Sequence, residues 1–535
     1  MAKKYIDHLK ENRIEAILIA FIVIRLLIGF FRVADYGISY DEGFGYQDLQ
    51  VNDAYIREIF EQLIDHRPLI DTTGYEDYFD KMYGIAARFP LLLFQHYAED
   101  RLQLRDIFMV HHYYQFIWFI AAVFSVYHLG RLLGFNRKAS LFGCLMLVMM
   151  PRLFAEAAYD YKDILFLCLF IIAYTLVMRL LKRWTIPGMI TFSVFMALCI
   201  NTRYIGAVIV IIFSILFLLK KEEHKWAKLF ASLLVTFVFY YIMSPFLWKE
   251  PVKGIIELVA GFNHFSWNGP VKVLGKVFPA TELPWYYLIS YMLVTIPLWV
   301  TLLAFAGFVK SGVLMIKEIK NNGFKAFDIK RYDVMTIAKW IPGILLIGIL
   351  IMDLIVHPVK YDGWRHFYFL YSMIIITALH GTDYLLQILK KLSHKQLFCA
   401  LMAALVLTDL LWMEINHPYE YMYFNPAGRL LSDGYDGDYW LVSTYDAIRD
   451  VLDASDRDDI RIWFSQDMAF YFLSDEEADR LIWQTESAAN ADAIILHERT
   501  DFMFDLTDVD WSQYVLWKEK RVDNKLLYSI YLKKL

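Results

Sequence analysis

Ile14-Glu-Ala-Ile-Leu-Ile-Ala-Phe-Ile-Val-Ile-Arg25-Leu-Leu-Ile-Gly-Phe-Phe31 is followed by Asp35-Tyr-Gly-Ile-Ser-Tyr-Asp41-Glu42-Gly-Phe-Gly-Tyr-Gln47. The first stretch is long and apolar enough to cross a bilayer, for which about 20 residues suffice. The second begins a polar segment with an acidic pair at the helix exit. A carboxylate near hydrocarbon is costly unless it has partners or a role. This juxtaposition recurs in weaker form along the chain and sets the fold class.

Of the 535 residues, 58% are hydrophobic and 17% aromatic, richer than soluble domains usually are. Apolar runs of spanning length fall at roughly 14–33, 106–130, 139–157, 164–181, 186–201, 204–219, 227–245, 286–309, 337–356, 367–388 and 396–414. Only a helix satisfies its own backbone in lipid, so these runs predict an all-α polytopic membrane domain of about eleven helices. The first run is preceded by Lys3, Lys4, Lys10 and Arg13 and has no small-residue cleavage site after it, which predicts a retained signal anchor.

Charge orients the spans. Alternate connections (1–13, 131–138, 179–183, 220–228, 310–339 and 390–395) together hold 24 Lys/Arg against 7 Asp/Glu, which predicts that they face the cytoplasm. The remaining long connections, 34–104, 152–163, 246–285 and 357–366, are then extracytoplasmic. The predicted organisation is a transmembrane domain over 1–415 with these four loops on its outer face, and a second domain over 416–535. In that tail the apolar runs shorten to strand length, as in Ile460-Arg-Ile-Trp-Phe464 and Ala493-Ile-Ile-Leu-His497, with a helical pattern at Tyr445–Leu452. We read it as a small extracytoplasmic α/β domain. The bulk charge of −5 divides into −12 from His417 onward and +7 before it. An acidic tail beside a hydrophobic body argues against a nucleic-acid partner. Cys144, Cys168, Cys199 and Cys399 all lie in apolar runs, so the loops carry no disulfide framework.

The candidate chemistry lies in the outer loops. Asp41 within reach of an acceptor hydroxyl can act as general base, and Glu42 can support it or help hold a divalent cation; the pair can equally just end a helix in hydrated loop. The second loop, Pro151-Arg-Leu-Phe-Ala-Glu-Ala-Ala-Tyr-Asp160-Tyr-Lys162-Asp163, runs into the next helix, where Asp163 is either a functional carboxylate or an N-cap. His357-Pro-Val-Lys360-Tyr-Asp362-Gly-Trp-Arg365-His366 places a guanidinium at an outward membrane edge, suited to a phosphate oxygen or to an ion pair with Asp362. Arg203, after Asn201-Thr202, and Lys162 are further phosphate candidates. His264 is a possible metal ligand or substrate donor. Trp285 and Tyr286 can stack on a sugar face or belong to an interfacial aromatic belt. Arg25, mid-span, calls for a partner in the bundle interior.

Several of these segments together resemble the C-type membrane glycosyltransferases, specifically the prokaryotic branch of the dolichyl-phosphate-mannose–protein mannosyltransferase and aminoarabinose-transferase group (glycosyltransferase family 39). The resemblance is carried by Asp41-Glu42, by Pro151-Arg152-Leu-Phe154 with Lys162-Asp163, by Arg365-His366-Phe-Tyr-Phe, and by His417-Pro-Tyr-Glu-Tyr-Met-Tyr-Phe-Asn425 with Asp438-Tyr439-Trp440. It spans about 35–450. It departs at Ala427-Gly428, where the branch has Gly-Gly, and at Leu441, where it has glycine. The resemblance implies a polyprenyl-phosphate sugar donor and a lipid, glycan or protein acceptor at the outer face. It also implies Asp41, Glu42 and Asp163 as catalytic carboxylates. Arg365, Arg203 and Lys162 would bind the donor phosphate; beside what the resemblance implies, His264, His366, Trp285 and Tyr286 stand as candidate substrate contacts. A transporter or flippase for an anionic or lipid-linked substrate, and an oligosaccharide ligase of similar architecture, remain competing readings.

Overall fold

The computed structural model describes residues 2–260, 267–485, 487–498 and 504–534, with side chains from Arg13 onward apart from residues 259–260. Every one of the eleven apolar runs is helical. Among the described residues, seven helices are by themselves long and apolar enough to cross a membrane: Arg13–Asp35, Leu104–Leu132, Asp163–Lys182, Lys225–Ile242, Leu298–Phe327, Val334–Val356 and Leu392–Asn416. The chain is a multi-pass membrane protein. One further helix pair, Arg137–Val148 and Pro151–Tyr159, is apolar enough when taken together but bends by 65° at its break, the geometry of a broken span or of a re-entrant segment. The break falls where Pro151 lacks an N–H and starts the second piece, as proline does at a first helical turn. Pro297 likewise separates Tyr287–Thr295 from Leu298–Asn322. Ile186–Thr202 and Tyr204–Leu219 are shorter apolar helices.

Without a hydrophobic drive between helices in lipid, close packing and polar pairing hold the bundle. Leu298–Asn322 and Leu370–Ile388 approach through Gly307 and Gly381, where a Cβ would meet the Thr377 and Leu303 carbonyl oxygens at 2.0 and 1.8 Å. Arg25 is paired as its position requires: Nη1 lies 2.6 Å from Glu414 Oε1, and Arg32 takes the other oxygen at 2.6 Å.

The segment expected as a polar outer loop over 34–104 is largely helical. Tyr40–Ile64 forms a 25-residue helix whose start is a capping box: Ser39 caps it, and Glu42 Oε2 accepts from the Ser39 N–H at 2.7 Å. Leu49, Asn52, Tyr55, Ile59 and Gln62 form its buried stripe. The segment 152–163 is not an exposed loop either. Pro151–Tyr159 is buried along its whole length, and Arg152 donates to the Tyr423 carbonyl at 2.8 Å.

Within 246–285, strands β1 (Pro270–Val273) and β2 (Lys276–Pro279) pair antiparallel. Beyond the last span lies a five-stranded sheet of β3 (Ile460–Trp463), β4 (Leu481–Trp483), β5 (Ala493–His497), β6 (Tyr514–Val522) and β7 (Lys525–Lys533), in the order β4-β3-β5-β7-β6. The β3/β4 and β3/β5 pairs are parallel; β5/β7 and β6/β7 are antiparallel. Thr444–Asp453 covers it as an amphipathic helix with Ala447, Ile448, Val451 and Leu452 buried. The helix-rich bundle with a small C-terminal sheet is the fold class expected above. A salt-bridged network ties the sheet to the hairpin: Glu498 meets Lys272 at 2.8 Å and Lys525 at 2.6 Å.

Candidate active site

All four long segments from one end of the bundle line a single cavity of about 670 Å³. Asp41 and Asp80 come from the first, Lys162 from the second, Trp267 from the third, and Tyr361, Asp362, Arg365 and His366 from the fourth. Arg203 joins them from between the two short helices. Ile349, Met352 and Val356, on the last turns of the spanning helix Val334–Val356, form part of an apolar wall.

Asp41 stands at the second position of the helix Tyr40–Ile64, whose first N–H, that of Tyr40, donates to the Trp440 carbonyl at 3.0 Å. The capping box orients that turn so that Asp41 faces the cavity while Glu42 turns away. Glu42 is buried, with Oε1 2.7 Å from His112 Nε2. It does not line the cavity. Asp163 occupies the first turn of Asp163–Lys182, but the backbone there is satisfied by Asp160: Asp160 Oδ1 accepts from the Asp163 N–H at 2.8 Å and the Lys162 N–H at 3.2 Å. The Asp163 carboxylate is therefore left to the cations. It forms an ion pair with Arg203 and lies 3.7 Å from Arg365 Nη1.

Arg365 is the hub. Nη1 meets Asp41 Oδ2 at 2.6 Å and Nη2 meets Asp362 Oδ2 at 3.2 Å, while the Trp440 and Tyr361 rings lie 4.5 and 4.8 Å from the guanidinium carbon. Burial alone would lower its pKa; Asp41, Asp362, Tyr361 and Asp163 together hold it well above the ordinary value. The Asp362 pairing that the sequence offered as the alternative to a phosphate contact is thus present. Lys162 Nζ meets Asp80 Oδ2 at 3.0 Å and lies 3.5 Å from the centre of the Tyr83 ring.

Burial pushes the Asp160 carboxyl well up, and the nearby Asp163 and Glu156 carboxylates push it further. The His366 imidazole goes the opposite way: burial, then Arg203, Arg365, Lys162 and Lys360, depress it well below its usual range. The His366 ring packs edge-on against Tyr361 at 4.7 Å.

The cavity therefore gathers Asp41, Lys162, Arg203, Arg365 and His366, with Asp163 paired to its cations. Trp285 is 64% exposed and packs on Tyr286, and neither residue lines the cavity. Trp267, tilted against Tyr361 with ring centres 4.3 Å apart, occupies the wall instead. His264 lies outside the described residues. Among the described residues no group of three or more His, Cys, Asp or Glu is placed to hold a metal ion. Asp80 and Tyr83 are additions that sequence reasoning missed, since nothing in their spacing marks them; Tyr439, from the Asp438-Tyr439-Trp440 stretch, also lines the cavity. Leu441, where the resembled branch has glycine, keeps a left-handed backbone with φ of 55°. Its side chain lies on the cavity wall.

No family model matches the chain, and no curated protein matches it. Among solved structures it is similar to the apo oligosaccharyltransferase of Archaeoglobus fulgidus, with 10% identity and a TM-score of 0.44 over 90% of this chain and 70% of that one. It is also similar to ArnT from Cupriavidus metallidurans bound to undecaprenyl phosphate, with 9% identity and a TM-score of 0.43 over 96% of this chain and 97% of that one. The apo state of the same ArnT matches with 10% identity and a TM-score of 0.43 over the same shares.

Proposed function

We propose that the chain is an integral membrane glycosyltransferase that moves a hexosyl or pentosyl group from a polyprenyl-phosphate donor to a lipid, glycan or protein acceptor. The observation that carries this reading is the cavity's two-sided chemistry. Its apolar wall belongs to the spanning helix Val334–Val356, where a polyprenyl chain can lie in continuity with the bilayer. Its polar wall offers Arg365, Arg203 and Lys162 to a phosphate and the half-exposed carboxylate of Asp41 to an acceptor.

The chemistry follows from that division. The acceptor heteroatom attacks the anomeric carbon and its proton passes to Asp41. The bond from that carbon to the phosphate oxygen breaks, and its electron pair stays on the phosphate, where fixed cations stabilise the growing charge. Asp163 holds Arg203 and Arg365 in place. Direct displacement on a β-linked donor would invert the anomeric centre. Positive charge on the alternate connections supports an N-terminus in the cytoplasm, the cavity on the extracytoplasmic face of the cell membrane, and 416–535 as an outer domain above 1–415. The pairing of Arg25 with Glu414 gives that intramembrane charge a structural role and removes an argument for a transport pathway.

The test is sugar transfer from a polyprenyl-phosphate sugar by purified protein in lipid nanodiscs, with Asp41→Asn and Asp163→Asn beside the parent. Loss of transfer in both is expected, and full transfer in both would remove this site.

A further inference from the structure

Two residues with separate tasks in the proposed reaction are bonded to one another. Asp41 is to take the acceptor's proton and Arg365 is to hold the donor's phosphate, yet Asp41 Oδ2 lies 2.6 Å from Arg365 Nη1. The surroundings of Arg365 restrict how a phosphate can reach it. Trp440 and Tyr361 pack on the guanidinium, which leaves its edge for polar partners. Along that edge Asp362 takes Nη2, and Asp163 stands behind, shared with Arg203. The Asp362 and Asp163 side chains are 8% and 1% exposed, whereas Asp41 is 29% exposed. Asp41 is the only exchangeable member of the three. The turn that carries it is fixed by the Tyr40 N–H on the Trp440 carbonyl and by the Ser39–Glu42 capping box, so its release is a side-chain rotation with the backbone in place.

We propose that the Asp41–Arg365 pair is a latch operated by the donor: the donor phosphate displaces Asp41 from Arg365, and the freed carboxylate then accepts the acceptor's proton. While the latch is closed, the oxygen on Arg365 accepts from the guanidinium and is not open to an acceptor. Donor binding therefore precedes acceptor activation. After transfer, the proton on Asp41 passes to solvent as the polyprenyl phosphate leaves, and the carboxylate returns to Arg365. This inference rests on the glycosyltransferase reading above.

The latch makes Asp41 a competitor of the phosphate, which gives a signature opposite to that of an ordinary binding residue. Binding of a long-chain polyprenyl monophosphate to the full-length protein in nanodiscs, measured by calorimetry, tests it. Asp41→Asn and Asp41→Ala are expected to bind this ligand about tenfold more tightly than the parent, because a competing charge has been removed. Arg365→Gln is expected to bind about tenfold or more weakly. Polyprenol without the phosphate reports the apolar wall and is expected to bind all four proteins alike. Should both Asp41 variants bind the monophosphate no more tightly than the parent, the latch is wrong even if transfer is abolished. A parent protein that binds polyprenol and its monophosphate equally, or neither, overturns the transferase reading and the latch with it.

Discussion

The Asp163 N–H donates to Asp160 Oδ1 at 2.8 Å, so Asp160 satisfies the first N–H of the helix Asp163–Lys182 and the Asp163 carboxylate is left to Arg203 and Arg365. Burial, with Asp163 and Glu156 adding to it, pushes the Asp160 carboxyl well up. An amide keeps an oxygen that can accept from the Asp163 and Lys162 N–H groups, so asparagine is a close stand-in at that position. Asp160→Asn is expected to keep transfer within about threefold of the parent. Asp163→Asn takes the counter-charge from Arg203 and Arg365 and is expected to lower kcat about a hundredfold or more. Steady-state transfer on the two variants, with thermal unfolding as a check on folding, separates these roles; equal losses would merge them.

Glu42 sits next to Asp41 in sequence and faces the other way in space. Its carboxylate closes the capping box on Ser39 and meets His112. Glu42→Gln keeps the shape but leaves the box and the His112 contact weakened. A loss of about 1–2 kcal/mol of stability is expected, with a smaller effect on transfer than Asp41→Asn. Chemical denaturation of the variant measures the first, and a chelator titration measures cation dependence, which is expected to match the parent's.

The helices were legible because lipid leaves the backbone one solution, and apolar length then reads almost directly as a span. The outer segments were less so. Ser39-Tyr-Asp-Glu42 carries the capping-box signature, but the adjacent acids draw the eye to charge, and the helix behind them has a stripe broken by Asn52 and Gln62. Buried Pro151–Tyr159 reads as a loop because the hydrogen bonds that its charged residues make, Arg152 to the Tyr423 carbonyl and Glu156 from the Tyr439 hydroxyl, come from far away in sequence. Within the site, Asp41 and Arg365 could be placed on one face from span parity. Their bond across 324 residues could not, and nor could Asp80 or Tyr83, which depend on how the first segment folds back over Lys162.

Orientation is open to a labelling test. Leu430 is 87% exposed in the turn Gly428–Gly434 beyond the last span, whereas neighbouring Ser432 is buried. Of the native cysteines only Cys399 is exposed. A Leu430→Cys variant in a Cys399→Ser background is expected to react with a membrane-impermeant maleimide in intact cells. Labelling that requires cell disruption would invert the proposed topology.

The sheet offers a prediction in pH. His497 lies buried in β5, with Nε2 3.2 Å from Thr444 Oγ1, and burial pushes its imidazole down from 6.5 to about 3. Between those two values the unfolded chain binds a proton that the folded chain refuses. Stability contributed by this group is therefore complete above about pH 6.5 and is lost as pH falls, by about 1.4 kcal/mol per unit. His366, depressed by burial and by the cations of the cavity, acts in the same direction. His417 opposes them: burial works against its charge, but Glu420 and Asp35 outweigh it and raise its pKa, so its contribution is present at low pH and fades as pH rises. Comparing one variant with the parent isolates a single term from this sum. Between pH 7 and pH 5 the parent is expected to lose about 2 kcal/mol more than His497→Gln, since glutamine carries no proton to refuse. Denaturant midpoints at the two pH values measure the difference, and parallel losses would show that the His497 ring is reached by water and protonates in the folded state.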